Sequence, residues 1–128
     1  MENRSSTRIA GMLGFAMRAG RVMVGTDIAL TSLRRPGLVK LVLLSATASE
    51  GTLLRVSRKC EFYKTPCLRL GIGSEELGRL LGKTYAPAVV AVTDDGFARE
   101  IMKAAADTTP TDDGGDMITE KGVSERKR

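Results

Sequence analysis

The residues best equipped for chemistry fall in one ten-residue stretch, Arg18 to Asp27, reading RAGRVMVGTD. It runs from the basic end of one expected helix, through a short β-prone run, to a glycine and a threonine able to open the next helix. A helix start presents unpaired backbone N–H groups and a partial positive charge, which suit phosphate or the polar edge of a base. Arg18 and Arg21 are planar multi-donor cations suited to phosphate, and Asp27 can accept hydrogen bonds from a guanine N–H edge. Taken alone, the same stretch is also an ordinary capped helix beside two solvated arginines.

Other constellations carry less. Gly71-x-Gly73 lies between an expected strand and an expected helix, but it lacks the third glycine of a dinucleotide fingerprint and the Gly-Lys-Ser/Thr ending of a triphosphate loop. Glu75 and Glu76 would fill the first turn of that helix, where they complement its dipole and repel phosphate. The chain has no histidine, and Asp27, Glu50, Glu75, Glu76 and Asp94 sit where helix starts favour acids, so nucleophile-and-base pairings lack their base. Cys60 and Cys67 form neither a CxxC pair nor a four-ligand zinc set, and buried thiols are the expected reading. No catalytic residue, cofactor or metal is expected.

The elements that must hold the Arg18–Asp27 corner follow from periodicity. From Thr7, the residues Ile9, Met12, Leu13, Ala16 and Met17 recur at helical spacing up to Gly20. Arg21 to Val24 reads as a strand broken by Gly25; Thr26 is the expected N-cap of a second helix with Ile28, Leu30 and Leu33, ending before Pro36-Gly37. Leu38 to Ser45 is nearly all apolar, as in a central strand covered on both faces. Ser49 caps a third helix carrying Leu53, Leu54, Val56, Cys60 and Phe62, and Cys67 to Leu70 is a strand. Ser74 opens a fourth helix to Leu81, Ala88 to Val92 is the last strand, and Thr93 caps a fifth helix packed by Phe97, Ala98, Ile101 and Met102. This alternation predicts an α/β protein, a three-layer α/β/α sandwich with a small mixed sheet of about four strands and five helices.

One domain is expected over residues 7–104, after a frayed stretch 1–6 and before a disordered tail 105–128. The net charge of +5 is uneven: the tail has six acids and four bases, leaving the foldable part with sixteen bases against nine acids. A basic body favours a polyanionic partner. Aromatics are only 4%, against a protein that reads single strands by stacking bases. The first dozen residues hold Glu2, Arg4 and Arg8 with no apolar run, and no stretch approaches a membrane span, so the cytosol is the expected compartment and a monomer the default.

The stretch Ile9 to Lys103 resembles the ribosomal protein L-seven-A-e family of kink-turn RNA-binding proteins, and most nearly its small bacterial YlxQ-type branch. The matching blocks are LGFAMRAGRVMVGTD, KLVLLSATASEGT, KCEFYKTPCLRLG, EELGRLLGK and VVAVTDDGFA, in order and at compatible spacing. The resemblance implies an α/β/α sandwich that contacts RNA through the glycine-led start of the second helix, Gly25, Thr26 and Asp27 with Arg18 and Arg21 beside it, and through an apolar loop, Tyr85, Ala86, Pro87 and Ala88. The implied partner is structured RNA, possible rRNA included, with no DNA and no membrane: a bent internal loop with tandem sheared G·A pairs, recognised largely by shape. In that picture Asp27 accepts from a guanine edge, Arg21 contacts phosphate, and the apolar loop covers an extruded nucleotide. Relatives in archaea and eukaryotes tend to carry Asn-Glu and then Lys on this helix, where this chain has Asp27, Ile28 and Thr31. Weaker affinity than the family norm is expected. The alternative is a protein-interaction adaptor on the same fold.

A third reading, a nucleotide-dependent enzyme working through Gly71 to Ser74, separates from both by a simple titration. Calorimetry with ATP or GTP is expected to register no micromolar binding; a micromolar isotherm would reinstate the Gly71–Ser74 loop as a nucleotide site.

Overall fold

The computed structural model describes residues 4–106 and 116–117. The chain alternates α1 (Arg4–Arg18), β1 (Val22–Val24), α2 (Thr26–Leu33), β2 (Leu41–Leu44), α3 (Glu50–Tyr63), β3 (Cys67–Arg69), α4 (Ser74–Leu80), β4 (Val89–Val92), α5 (Asp95–Ala106) and β5 (Asp116–Met117). The strands lie in the order β1-β4-β2-β3-β5. β2 and β3 are parallel, while β1 with β4, β4 with β2, and β3 with β5 are antiparallel, so the sheet is mixed.

The apolar run of the central strand creates the layers. Leu41 and Leu43 turn to one face, where they join Ile9 and Leu13 of α1, Leu77 of α4 and Ile101 of α5. Val42 and Leu44 turn to the other, against Ala29 and Leu33 of α2 and Val56 and Cys60 of α3. Every residue of β2 and β4 is buried, as strands covered on both faces require. Cys60 and Cys67 are free, buried thiols of this second layer, and their mutual hydrogen bonding together with burial pushes the Cys67 thiol far above its ordinary range.

Several boundaries differ from those read in the sequence. Helix α1 begins at Arg4, inside the stretch expected to fray, and α5 continues through Ala106, past the expected limit at residue 104. Ala105 is buried in the first core, so α5 packs over one turn more than its larger apolar residues mark. The two-residue β5 pairs with β3 within the stretch expected to be disordered. The rest of that expectation, 107–115 and 118–128, lies outside the described residues, as do Met1 to Asn3.

Three of the expected caps shift by one residue. Gly25 precedes α2 and Gly73 precedes α4, so Thr26 and Ser74 are the first helical residues. At α5 the cap is Asp94, whose Oδ2 accepts from the Phe97 N–H at 2.9 Å, while the Thr93 hydroxyl donates to the Arg21 carbonyl at 3.1 Å. Ser49 caps α3 as expected, its side chain accepting from the Thr52 N–H.

One glycine is needed for a close approach. Gly78 faces the loop after α4, and a Cβ there would collide with the Tyr85 carbonyl oxygen and stand 3.2 Å from Cδ of Pro87. Gly78→Ala is therefore expected to destabilise by about 1–3 kcal/mol, the usual cost of overpacking against backbone. Gly11 in α1 has open space where a Cβ would stand, with no neighbour within 4 Å. Gly11→Ala should accordingly stabilise by about 0.5–1 kcal/mol. Urea denaturation of both variants checks the contrast; equal stabilities would refute the packing assigned to Gly78.

Candidate functional site

Sheet register brings the two sequence-predicted segments to one end of the molecule. Val24 pairs with Val90, and the Gly25 N–H donates to the Val89 carbonyl at 2.8 Å. The start of α2 therefore stands beside the last residues of the loop Tyr85 to Ala88. On the other side of β4, the Ser45 N–H donates to the Ala88 carbonyl at 2.9 Å, which fixes the same loop end a second time.

Gly25 makes the corner geometrically possible. Its φ of 130° and ψ of 149° lie where side chains are rarely accommodated, so the turn from β1 into α2 depends on a residue without Cβ. The first α2 backbone bond runs from the Ala29 N–H to the Gly25 carbonyl, and no side chain caps the helix. The N–H groups of Thr26, Asp27 and Ile28 are left pointing out of the helix start.

The neighbouring helix starts each receive one side-chain hydroxyl. At this end of the sheet, α3 is capped by Ser49, and α4 receives the Thr47 hydroxyl oxygen, which accepts from the Ser74 N–H at 3.0 Å. The Ser74 hydroxyl also bonds within the protein, lying 2.6 Å from the Ser45 hydroxyl. Of the three helices that open here, α2 is the one at which no first-turn amide receives a side-chain hydroxyl, among the described residues.

Around those amides the side chains are mixed. Asp27 is 98% exposed at its side chain and meets the Arg55 guanidinium of α3 at 3.6 Å. Ile28 is 47% exposed, and Thr31 is exposed one turn further along. Tyr85 and Ala86 are exposed, Ala88 is half-buried, and Pro87 is buried against Gly78. Pro87 therefore shapes the loop from within, whereas Tyr85 and Ala86 present its surface.

Arg18 and Arg21 are not at this corner. Arg21 lies at the opposite end of β1, where its N–H donates to Ala16 and its carbonyl accepts from Thr93. Four residue steps of strand separate it from Gly25, roughly 13 Å of extended chain. Arg18 folds back along α1, with its guanidinium 4.9 Å from the centre of the Phe15 ring. Sequence proximity suggested a cluster, but an extended strand carries its two ends apart.

The cation beside Asp27 is Arg55, which the sequence reading missed. The one signal for it was the inward pair Val56 and Cys60, four apart, which turns Arg55 outward; that α2 lies alongside is a tertiary fact with no local signature. Among the described residues there is no cluster of three or more Cys, Asp or Glu residues fit to hold a metal ion, and no helix is long and apolar enough to cross a membrane.

The chain is an α/β/α sandwich in which an uncapped, glycine-led helix start stands beside the loop Tyr85 to Ala88. Residues 7–102 match the model of the ribosomal protein L7Ae/L30e/S12e/Gadd45 family, and the chain belongs to that family. It is 42% identical over 91 residues to the RNA-binding protein YlxQ of Bacillus subtilis (strain 168), covering 71% of this chain and 88% of that protein. Similarity to the large ribosomal subunit protein eL30 of Trypanosoma brucei brucei is 30% over 80 residues, covering 62% of this chain and 75% of that one. Among solved structures, a Bacillus halodurans protein of unknown function matches with a TM-score of 0.70 at 30% identity, covering 80% of this chain and 97% of that one. The Giardia lamblia 15.5kD RNA binding protein shares the fold, with a TM-score of 0.68 at 18% identity and coverage of 81% and 87%.

The geometry of Gly25 is open to direct test. Gly25→Ala is expected to cost about 1–3 kcal/mol of folding free energy, the scale of a non-glycine residue held in such a conformation. An unchanged urea midpoint would mean that the turn does not need the glycine.

Proposed function

We propose that the protein binds structured RNA at the corner formed by Gly25, Thr26, Asp27, Ile28 and Thr31 with Tyr85, Ala86 and Ala88, without catalysing a reaction. The target is a kink-turn-like internal loop with tandem sheared G·A pairs, and the setting is cytoplasmic and ribosomal or ribosome-associated, the protein acting as a monomer. The observation that carries this reading is the 2.8 Å bond from the Gly25 N–H to the Val89 carbonyl, which joins an uncapped helix start to an exposed apolar loop. Relatives named for RNA binding and for the large ribosomal subunit support the class of ligand.

Each part has a role that its chemistry suits. The Asp27 carboxylate accepts from guanine N–H groups, which is favourable only where donors and not phosphates face it. Arg55 at 3.6 Å offsets the negative charge that Asp27 would otherwise place against a polyanion. Tyr85 and Ala86 supply a surface on which a nucleotide leaving the stack can lie. Ile28 and Thr31 offer apolar and hydroxyl contacts where relatives carry charged side chains, so shape carries a larger part of recognition.

Titration of a fluorescent kink-turn RNA, beside the same RNA with its G·A pairs replaced by Watson–Crick pairs, tests the reading. Wild type should prefer the G·A form, and Asp27→Ala should weaken that binding by about 1.5–3 kcal/mol, the worth of a hydrogen bond to a charged group. Arg21→Ala, at the far end of β1, should change affinity by less than about 0.5 kcal/mol, as remote surface substitutions do. Equal, strongly salt-sensitive binding to both RNAs would contradict specific recognition and favour the adaptor reading.

A further inference from the structure

The outer face of α3 carries a groove that the described residues leave unfilled. Gly51, Leu54, Arg55, Arg58, Lys59 and Phe62 line it, and its volume is about 490 Å³. These positions recur at three and four residues, so they form one stripe along the helix, opposite the buried Val56 and Cys60. The sequence counts Leu54 and Phe62 among the packing residues of α3. In the fold they face outward, and Phe62 is 75% exposed.

The stripe is cationic as well as apolar. Arg58 and Lys59 are exposed and make no ion pair among the described residues. Arg55 joins the stripe to the α2 corner through Asp27 at 3.6 Å. From there α3 carries the stripe away from the corner, Phe62 lying seven residues or roughly 10 Å beyond Arg55 at 1.5 Å per helical residue.

We propose that this stripe is a second RNA contact, in which Arg58 and Lys59 take backbone phosphates of a stem leaving the α2 corner and an unpaired base lies on Phe62. The inference rests on the RNA-binding reading above. A ligand here must be anionic over some length, must carry planar apolar surface, and must be continuous with whatever occupies the corner. RNA meets all three conditions in one molecule, since phosphates and base faces alternate along a strand. An acidic peptide with aromatic side chains meets the first two, but nothing ties it to the corner.

The test uses the full chain and two kink-turn RNAs, one with both stems extended by a helical turn and one with stems trimmed to the minimum that pairs. Wild type should bind the extended RNA more tightly. Arg58→Ala/Lys59→Ala should weaken the extended RNA by about tenfold and lower its log–log salt slope by about two, one per phosphate contact removed. The trimmed RNA should be bound as by wild type. Phe62→Ala should weaken the extended RNA by at least about fivefold, the lower end for a stacked base, and Arg58→Lys/Lys59→Arg should restore the salt slope. All substituted side chains are exposed, and matching circular dichroism melts exclude misfolding as the cause.

The failures are distinguishable. If wild type prefers the G·A form but the double alanine variant binds both lengths with unchanged affinity and slope, the stripe is not an RNA contact and the corner reading stands. If wild type ignores the G·A pairs altogether, the corner reading falls and this inference falls with it.

Discussion

The hydrogen bond from Gly25 to Val89 is the constraint on which the site depends. It ends the pairing of β1 with β4 at the point where one strand leaves for a helix and the other arrives from a loop. Because Gly25 holds a φ of 130°, the chain turns at once into α2 and leaves the first amides of that helix beside the loop. Gly78 contributes from the other side, allowing the Tyr85 backbone to sit against α4. Two positions without a Cβ thus make one surface from segments sixty residues apart in the sequence.

The layered packing supplies the rigidity that such a corner needs. A central strand buried on both faces fixes β4 on one side and β3 on the other, and the two cores hold helices against each face. Under the proposed reading this rigidity matters, since a scaffold that yielded would lose affinity to ordering its own loops. The neighbouring helix starts each receive a hydroxyl, from Ser49 at α3 and Thr47 at α4, whereas no side chain caps α2.

Much of this was legible in the sequence, and what was not has physical causes. The apolar run LVLL announced a doubly covered strand, and Ser49 announced a cap, because both signals are local. The helix face of α3 was legible only in part: Val56 and Cys60 turn inward as their spacing implies, but Leu54 and Phe62 are apolar side chains on the outer face, where hydrophobicity alone misleads. The resemblance named both Gly25 to Asp27 and Tyr85 to Ala88, and the fold brings these two segments to one end of the sheet. Which arginine stands beside Asp27 was not legible, since Arg21 is near in sequence but lies at the other end of an extended strand, while Arg55 arrives from another helix. Caps slipped by one residue wherever a glycine or a second acid competed with the hydroxyl for the boundary.

In the proposed function the α2 start and the loop before β4 act as one RNA-contacting surface. The most direct measurement is an NMR titration of the isotopically labelled protein with kink-turn RNA, following every backbone amide. Thr26, Asp27 and Ile28 are expected to shift in concert with Tyr85, Ala86 and Ala88, along one saturation curve. Shifts centred on Arg18 and Arg21, at the opposite end of β1, with the α2 amides unmoved, would contradict it.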